Sequence, residues 1–292
     1  MDKIRLRVPA TSANLGSGFD CLGIAFQKYN VFEFEKIEKG VVFEGCDRKY
    51  ANMSNLSYVS YKAVCDKLRV PCNVKITTIE IDVPVSRGLG SSATLIVAGA
   101  VAANALNGDR LTKEQIFAIC TEIEGHPDNI APALYGGLCA SVLIDSTPFT
   151  VKHHVSEDVY FTAIVPSFEV RTREARHTLP RYVAHNDAVF NLSRTAILPH
   201  AFESGNFQLI KIATQDRIHE KYKKQLFRNV SEVEARAYEC GATSFMISGA
   251  GSTCLCVSDR PIAEELNKKI KSLENNWKAF SLSVDSEGAK EA

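Results

Sequence analysis

The most chemically informative segment of the chain is Gly88-Leu89-Gly90-Ser91-Ser92-Ala93. An alternating strand pattern at residues 77–83 precedes it, and an unbroken apolar stretch at residues 95–103 follows it. The order of strand, glycine-rich loop and helix favours phosphate, because a helix start offers unpaired backbone N–H groups and the positive end of its dipole. Glycine lets the backbone approach the anion closely. We therefore predict a nucleotide polyphosphate site, where the hydroxyl of Ser91 or Ser92 could also reach a metal ion.

Other glycine motifs have to be compared with this loop. A Walker A loop requires a Lys after the glycines, and this chain has none there. The dinucleotide pattern G-x-G-x-x-A fits only formally, because Val85-Ser86-Arg87 separates the strand from the glycines. Asp109, the acid at the right distance for that pattern, lies in a turn between two helical patterns. A plain glycine turn without a ligand is the remaining alternative.

Local patterns of apolar residues and turn residues predict the elements that position this loop. In the first half of the chain we predict strands at 3–8, 32–35, 74–83 and 138–144, and helices from Asn55 to Leu68, over 92–106, and from the capping box Thr112-x-x-Gln115 to near Glu124. In the second half we predict strands at 159–166, 243–248, 253–258 and 277–284, and helices within 173–214 and at 229–239 and 260–275. The polar stretch from Asp145 to Asp158 is the expected domain boundary, which gives domains 1–150 and 151–292. The last six residues are expected to fray.

Composition restricts the class of protein. The chain has 292 residues, 45% of them hydrophobic and 23% charged, as in a packed globular protein. Lys plus Arg equals Asp plus Glu at 34 each, and this zero net charge argues against broad binding of nucleic acid or membrane surfaces. The N-terminus lacks the apolar run of a signal peptide. Nine cysteines without a CxxC pair indicate reduced thiols, so a cytoplasmic protein is expected.

Three segments together resemble the three motifs of the GHMP kinase family. The first is Pro-Ala-Thr-Ser-Ala-Asn-Leu-Gly-Ser-Gly-Phe-Asp-Cys-Leu-Gly at residues 9–23, and the third is Ser-Gly-Ala-Gly-Ser-Thr-Cys at residues 248–254. The second, Pro84-x-x-x-Gly88-Leu89-Gly90-Ser91-Ser92-Ala93, matches at every position. The motifs stand in the family's order and spacing, and the resemblance covers almost the whole chain. It implies an α+β protein of two lobes, with the active site in the cleft between an N-terminal nucleotide-binding lobe and a C-terminal lobe.

Other segments resemble the family members that phosphorylate the side-chain hydroxyl of L-homoserine to O-phospho-L-homoserine in threonine biosynthesis. They are the Asn14-to-Asp20 version of the first motif, the stretch at 124–132 and the stretch at 172–176. The resemblance therefore implies an ATP-dependent enzyme with L-homoserine as acceptor. A homodimer is a further expectation, which the sequence does not decide.

Homoserine carries an ammonium, a carboxylate and a hydroxyl, and the residue types fit each group. Asp20 offers a carboxylate for the ammonium, Asn14 can form a hydrogen bond with the hydroxyl, and Arg176 offers a planar fork for the carboxylate. These three are the expected catalytic residues. The remaining substrate-binding candidates are His126, Thr172 and Lys223. Taken singly, Asn14 and Asp20 could instead stabilise turns, and Arg176 could form a surface ion pair.

ATP requires Mg²⁺, a hard ion that keeps several waters and takes few protein oxygens. By resemblance its ligands are Ser92 and Glu124, with Glu122 as the second choice; a solvated charge at the end of a helix is the alternative for Glu124. The expected ATP-binding residues are Asn55, Pro84, Val85, Ser86, Arg87, Gly88, Leu89, Gly90, Ser91, Ser92, Ala93 and Thr94.

The chain departs from its relatives where they carry a second carboxylate-binding Arg. Lys223 stands in that region and would supply a point charge without a bidentate fork. Another GHMP kinase, acting in the mevalonate pathway or on a sugar, is the nearest alternative, but those often pair a Lys with an Asp. Asp128 resembles that Asp, whereas the first motif has no Lys, so we expect no essential general base and expect Asp128 to cap the next helix. A non-catalytic ATP-binding regulator is the third possibility, against which the intact Ser92, Glu124 and Arg176 argue.

Overall fold

The computed structural model describes all residues from 1 to 292. The strands are β1 (Lys3–Ala13), β2 (Leu22–Lys36), β3 (Val41–Glu44), β4 (Val74–Ile81), β5 (Leu138–Ile144), β6 (Thr147–His153), β7 (Tyr160–Val165), β8 (Ala242–Ile247), β9 (Cys254–Ser258), β10 (Lys278–Leu282) and β11 (Lys290–Glu291). The α-helices are α1 (Leu56–Leu68), α2 (Ser91–Leu106), α3 (Lys113–Glu124), α4 (Ile130–Tyr135), α5 (Thr172–His177), α6 (His185–Ser204), α7 (Phe207–Ala213), α8 (Glu220–Lys223), α9 (Val230–Glu239) and α10 (Ala263–Ile270).

The strands form two separate sheets, one in each lobe. In the N-terminal lobe the order is β11-β1-β2-β4-β3, and β5 pairs with the other end of β2 and with β6. In the C-terminal lobe the order is β10-β7-β9-β8, with every neighbouring pair antiparallel. Helices α1 to α4 pack on the N-terminal sheet. The predicted α+β class with two lobes is therefore confirmed.

Helix α2 runs through the core of the N-terminal lobe, which explains its nearly uninterrupted apolar sequence. Its small residues let α1 approach closely: a Cβ at Gly99 would lie 1.9 Å from the carbonyl oxygen of Ser57. A second apolar cluster joins the two lobes, because Phe26 of the N-terminal sheet packs edge-on against Phe161 at 5.3 Å between ring centroids. This packing fixes the cleft walls relative to each other.

Two predicted helix starts are confirmed with their capping bonds. Asn55 caps α1, accepting a hydrogen bond at Oδ1 from the N–H of Ser57 at 3.0 Å. Thr112 and Gln115 form the reciprocal capping box of α3. Because these signals depend only on neighbouring residues, they can be recognised without tertiary context.

The expected boundary region and the expected frayed end are both structured. The polar stretch from Asp145 contains β6, which forms a hairpin with β5, so a boundary at residue 150 lies inside a strand. At the C-terminus, β11 pairs with β1, and the N–H of Ala289 donates to the carbonyl of Ala133 at 2.8 Å. The chain therefore returns to the N-terminal lobe after completing the C-terminal sheet.

All nine cysteines are unpaired. The structure has no helix with the length and apolar character needed to span a bilayer.

Candidate active site

The three glycine-containing segments meet at the start of α2. Gly88 has a φ of +77°, and a Cβ there would lie 2.3 Å from the carbonyl oxygen of Ser248 in the third segment. Gly90 has a φ of +68°, and a Cβ there would lie 1.9 Å from the hydroxyl oxygen of Thr11 in the first segment. Glycine is required at both positions because the positive φ and the neighbouring atoms, a backbone carbonyl at Gly88 and the Thr11 hydroxyl at Gly90, leave no space for a side chain. The loop is thus clamped from both sides with its helix N-terminus facing the cleft.

A cavity of about 760 Å³ follows the cleft between the lobes, within the range of small-molecule sites. Gly88 and Gly90 of the glycine loop line it. Asn55, Tyr50 and Ile81 line one part of the wall, and Asp20 and Arg176 line another. One continuous cavity is therefore large enough for a nucleotide and a second small molecule.

The structure separates the predicted ATP-binding residues into two groups. Those lining the cavity are Asn55, Val85, Ser86, Arg87, Gly88, Gly90, Ser91 and Ser92. Those that do not line it are Pro84, Leu89, Ala93 and Thr94. The side chains of Leu89, Ala93 and Thr94 are fully buried in the core; Leu89 lies in the loop before α2, and Ala93 and Thr94 lie in the first turn of the helix.

Two of the residues that line the cavity are already committed to protein contacts. Asn55 uses its amide to cap α1 and to donate to the carbonyl of Tyr50 at 2.9 Å. The Arg87 guanidinium donates to the carbonyl of Ser167 at 2.9 Å and so joins the loop to the C-terminal lobe.

Ser92 and Glu124 form the one close hydroxyl–carboxylate contact at the mouth of α2. The Ser92 hydroxyl, in the first turn of α2, donates to Oε1 of Glu124, the last residue of α3, at 2.6 Å. Burial raises the pKa of the Glu124 carboxyl, and the hydrogen bond from Ser92 opposes this shift in part. Glu122 is exposed and does not line the cavity. Two hard oxygen donors side by side fit a magnesium ion that also takes phosphate oxygens and water.

Asp20 and Arg176 form a bidentate ion pair across the cleft. Nη1 and Nη2 of Arg176 donate to the two carboxylate oxygens of Asp20 at 2.9 and 2.8 Å. Arg176 belongs to α5 of the C-terminal lobe, whereas Asp20 lies between β1 and β2 of the N-terminal lobe. The hydrogen bonds to Asp20 raise the pKa of the Arg176 guanidinium. Thr172, one turn earlier on the same helix, also lines the cavity.

Asn14 and Lys223 share one acceptor beside this pair. The Asn14 Nδ2 group donates to the carbonyl of Gly249 at 3.0 Å, and Lys223 Nζ donates to the same oxygen at 2.9 Å. Asn14 Oδ1 also accepts from the N–H of Asp20 at 3.0 Å, which holds Asp20 in its left-handed conformation. The hydroxyl of a bound substrate can therefore use only the second N–H or the one remaining lone pair of the Asn14 amide.

Lys223 is almost fully buried although it faces no carboxylate within ion-pair distance. Burial lowers its pKa to about 8, and the charges of Glu220 and Asp20 oppose the shift. A buried ammonium in a cavity wall is suited to an anionic ligand, because that ligand would supply the missing countercharge.

His126 and Asp128 form a second charged contact in the same wall. His126 Nδ1 lies 2.5 Å from Oδ1 of Asp128, which is almost fully buried. Burial lowers the pKa of the His126 imidazole, but the hydrogen bond and charge of Asp128 outweigh burial and raise the pKa overall. The prediction that Asp128 caps the next helix is wrong: Asn129 precedes α4, and no side chain caps it. The carboxylate instead turns toward the imidazole.

Sequence reasoning missed two polar or aromatic groups of the site. The Phe19 ring lies 4.9 Å from Lys223 Nζ and 5.8 Å from the Arg176 guanidinium, so it packs beneath both cations. Asn129 lines the cavity and accepts from the Thr11 hydroxyl at 2.8 Å. Phe19 lies within the first motif at residues 9–23 and Asn129 within the stretch at 124–132, so the family resemblance was the sequence signal that could have revealed them.

Comparison with known proteins identifies the family. The family model described as "GHMP kinases N terminal domain" matches residues 55–137, and the model described as "GHMP kinases C terminal" matches residues 200–275. A homoserine kinase of Clostridium botulinum (strain 657 / Type Ba4) is 40% identical over 289 residues, covering 98% of this chain and 97% of the relative. This chain belongs to the homoserine kinase family of GHMP kinases. A Clostridium beijerinckii homoserine kinase is 41% identical over 292 residues, with the same coverage of each chain.

The structural comparison agrees with the sequence relatives. The crystal structure of homoserine kinase from Cytophaga hutchinsonii has a TM-score of 0.91 and 28% identity, covering 100% of this chain and 98% of that one. The resemblance found in the motifs and the two-lobed GHMP kinase fold are thus confirmed.

Proposed function

We propose that the protein transfers the γ-phosphoryl group of ATP to the side-chain hydroxyl of L-homoserine. The observation that carries this proposal is the placement of Asp20 and Arg176, opposite charges 2.8 Å apart, in the same cavity as the phosphate loop. An α-amino acid presents an ammonium and a carboxylate on one carbon, so it matches two opposite charges at this spacing. Membership of the homoserine kinase family supports the same acceptor.

ATP is proposed to bind with its phosphates on the N-terminus of α2. Gly88, Gly90 and Ser91 expose backbone N–H groups of the loop and the first helical turn, where the helix dipole favours negative charge. The adenine end would lie toward Asn55, which rigidly caps α1 and contributes the cavity wall. Pro84, Leu89, Ala93 and Thr94 shape the loop from behind.

Ser92 and Glu124 are the proposed Mg²⁺ ligands. When bound, the ion would neutralise charge on the phosphate oxygens of ATP. The two side chains contribute a hydroxyl and a carboxylate oxygen 2.6 Å apart at the mouth of the helix. Glu124 closes α3, so the metal site depends on the packing of α2 against α3.

The acceptor is proposed to bind between the lobes. Asp20 receives its ammonium and Arg176 its carboxylate, while Lys223 adds a second positive charge beside Arg176. Asn14, His126 and Thr172 line the remaining wall and orient the hydroxyl toward the phosphate loop. Catalysis then consists of positioning and electrostatic stabilisation, because a loose phosphoryl-transfer transition state needs little proton removal before the bond breaks.

We expect Asp128→Asn to lower kcat by less than about tenfold, well short of the largest general-base effects of about 10⁴. The reason is that an amide oxygen can still accept the hydrogen bond from His126 Nδ1, although it cannot serve as a base. Steady-state kinetics with homoserine, together with the midpoint of thermal unfolding, would measure this. A loss of several thousandfold in kcat with normal unfolding and ATP binding would instead make Asp128 the catalytic base.

The alternative acceptors can be tested directly with one assay. ADP release should be measured with homoserine, mevalonate, shikimate and galactose at matched concentrations. We expect the highest kcat/KM for homoserine, because mevalonate has no ammonium to meet Asp20. Comparable kcat/KM values for mevalonate and homoserine would contradict the proposal, and binding of ATP without turnover of any acceptor would favour a regulatory protein.

We further propose that the lobes divide after β6 rather than inside it, with the C-terminal residues belonging to the first lobe.

A cytoplasmic location is supported by nine unpaired cysteines, since reducing compartments keep thiols free. The homodimer remains a prediction that light scattering after size-exclusion chromatography would test.

A further inference from the structure

The loop at residues 14–20, which joins β1 to β2, belongs to the N-terminal lobe but is held largely by side chains of the other lobe. The carbonyl of Ser17 accepts hydrogen bonds from Asn191 Nδ2 at 3.2 Å and from the Thr195 hydroxyl at 2.8 Å, both on α6. The carbonyl of Gly16 lies beside the chain that leads into α8. The C-terminal lobe therefore fixes this loop at two successive carbonyls.

The backbone of the loop needs such support. Asn14, Leu15, Gly16 and Asp20 have positive φ values between 46° and 75° or, as measured for each, 75°, 50°, 75° and 59°. The left-handed region is unfavourable for residues that carry a side chain, and the hydrogen bonds from the other lobe offset that cost. The position of Asp20 thus depends on contacts made by the C-terminal lobe as well as on its own sheet.

His219 makes the shortest of these side-chain contacts. It is fully buried, and its Nε2 lies 2.7 Å from the carbonyl oxygen of Gly16. Because a carbonyl oxygen can only accept, Nε2 carries the proton and donates it. The imidazole ring also stacks on Phe19, with 4.9 Å between the ring centroids. One side chain thereby contacts the loop at two points.

The surroundings keep this imidazole neutral. Its Nδ1 has no hydrogen-bond partner, so a second proton there would be buried without an acceptor. Burial lowers the pKa of His219 to about 4, the charge of Lys223 adds to this shift, and the charge of Asp216 opposes it. Asp216 Oδ1 lies 3.5 Å from Nε2, but the Asp216 carboxylate already accepts three other hydrogen bonds. At neutral pH the ring therefore offers one N–H, and Gly16 accepts it.

The same turn of the chain carries Lys223. The N–H of Lys223 donates to the carbonyl of His219 at 3.1 Å, so the two side chains lie one helical turn apart. Both contact Phe19, since Lys223 Nζ lies 4.9 Å from the centroid of that ring. Lys223 Nζ also donates to the carbonyl of Gly249 at 2.9 Å. The start of α8 thus binds the first glycine segment through His219 and the third through Lys223.

We propose that His219 is a positioning residue for phosphoryl transfer, because its hydrogen bond to Gly16 sets the place of Asp20 relative to Lys223. This inference rests on the proposed function of the site. His219 does not line the cavity, so it acts through the loop and not on a substrate. Without this hydrogen bond the loop can move away from α8, and the two charges that receive the acceptor lose their spacing.

Two substitutions separate the hydrogen bond from the ring. His219→Phe keeps an aromatic ring beside Phe19 but cannot donate, whereas His219→Gln has an amide N–H for Gly16 but no ring. We expect His219→Phe to raise the KM for homoserine about five- to tenfold, as loss of one buried hydrogen bond implies. His219→Gln should restore most of this loss. The KM for ATP should change in neither variant, because the loop meets the acceptor side of the cleft.

The matched control is His200→Phe, the same substitution at an exposed position on α6, which should leave both KM values unchanged. A purely structural His219 would lower the unfolding midpoint and the active fraction of the enzyme but would move neither KM. An unchanged KM for homoserine in His219→Phe, or equal increases in His219→Phe and His219→Gln, would overturn the inference. If His219→Phe does not fold, His219→Asn replaces it, since the shorter amide cannot reach Gly16.

A spectrum of the unmodified protein tests the hydrogen bond independently of turnover. Long-range ¹⁵N–¹H correlations distinguish the two ring nitrogens of each histidine, and the signal missing from His219→Gln identifies residue 219. We expect an imidazole with its proton on Nε2 that does not titrate between about pH 6 and pH 8, the range in which an ordinary histidine changes its charge. An Nδ1–H or doubly protonated ring would overturn the inference. If the wild type does not phosphorylate homoserine, the proposed function fails, whereas this spectrum still reports on His219 and Gly16.

Discussion

Replacing Glu124 by Gln should remove most phosphoryl transfer while the protein stays folded. The substitution keeps an oxygen that can accept the hydrogen bond from Ser92 but removes the negative charge proposed to hold Mg²⁺. Loss of one preorganised electrostatic contact of this kind costs about 2–4 kcal/mol of transition-state stabilisation, or about 30- to 1000-fold in kcat. Ser92→Ala should also reduce kcat, but by a smaller factor, because it removes a neutral ligand.

The same substitution should not destabilise the fold, although it lowers activity. Burial raises the pKa of the Glu124 carboxyl, which means that the charged form is costly in the folded protein. Glu124→Gln should therefore leave the unfolding midpoint unchanged or raise it. A loss of activity together with a lowered midpoint would point to a structural role for Glu124.

Two controls make the assignment of the metal ligand specific. Glu122→Gln changes the same residue type two residues earlier in α3, at an exposed position, and should have near-normal activity. The concentration of Mg²⁺ needed to tighten ADP binding, measured by calorimetry without any acceptor, should rise for Glu124→Gln and stay unchanged for Glu122→Gln. Near-normal activity of Glu124→Gln with a defective Glu122→Gln would transfer the metal role to Glu122.

The parts of the fold that could be predicted from sequence are those determined by short-range signals. The Asn55 cap, the Thr112 capping box and the strand–loop–helix order around Gly88 each involve residues a few positions apart. Such signals act through local hydrogen bonds and backbone conformation, so they are visible in the sequence. Ser92 and Glu124 were predicted as metal ligands from the family resemblance, and each stands at the end of such an element.

The hairpin of β5 and β6 was missed because its turn lacks the usual residues. Asp145 and Ser146 both have positive φ values, 47° and 66°, as the two central residues of a tight hairpin turn require. Asn-Gly or Asp-Gly would have revealed this turn, whereas Asp-Ser within a polar stretch suggested a linker. Strand β11 was missed for a different reason: its partner Arg7 lies at the opposite end of the chain.

The electrostatics of the site also depends on contacts that sequence does not disclose. Asp20 and Arg176 were each predicted to bind the acceptor, but their pairing joins residues 156 positions apart. The burial of Lys223 likewise depends on how α8 packs beneath the third glycine segment. In the sequence the same lysine stands in a Lys-rich stretch that is typical of a solvated surface.

Lys223→Met should weaken the binding of homoserine more than any other substitution in the acceptor site, apart from substitutions of Asp20 and Arg176. The substitution keeps the buried aliphatic stem but removes the ammonium proposed to contact the carboxylate. Hydrogen bonds to charged groups contribute about 1.5–3 kcal/mol, so kcat/KM for homoserine should fall about 10- to 100-fold. The KM for ATP should change little, because Lys223 faces Asp20 and Arg176 rather than Glu124.

The stability of Lys223→Met separates a binding role from a structural one. Because the pKa of Lys223 is lowered from 10.5 to about 8, the unfolded chain binds more protons between these values. The free energy of unfolding of the wild type should therefore gain a contribution from Lys223 as the pH rises from about 8 to about 10.5, and at lower pH the buried charge is a net cost. Lys223→Met should be at least as stable as the wild type at pH 7.

The lowered pKa also gives Lys223 a pH signature that an arginine in its place would not have. The ammonium is fully charged well below pH 8 and loses its charge as the pH rises through about 8, so kcat/KM for homoserine should fall by up to about tenfold per pH unit above that value. Lys223→Arg keeps its charge at alkaline pH and should move this decline upward. The acceptor's own ammonium titrates identically with both enzymes, so the difference between their profiles reports on residue 223 alone. Identical profiles for the wild type and Lys223→Arg would show that the carboxylate is bound without Lys223.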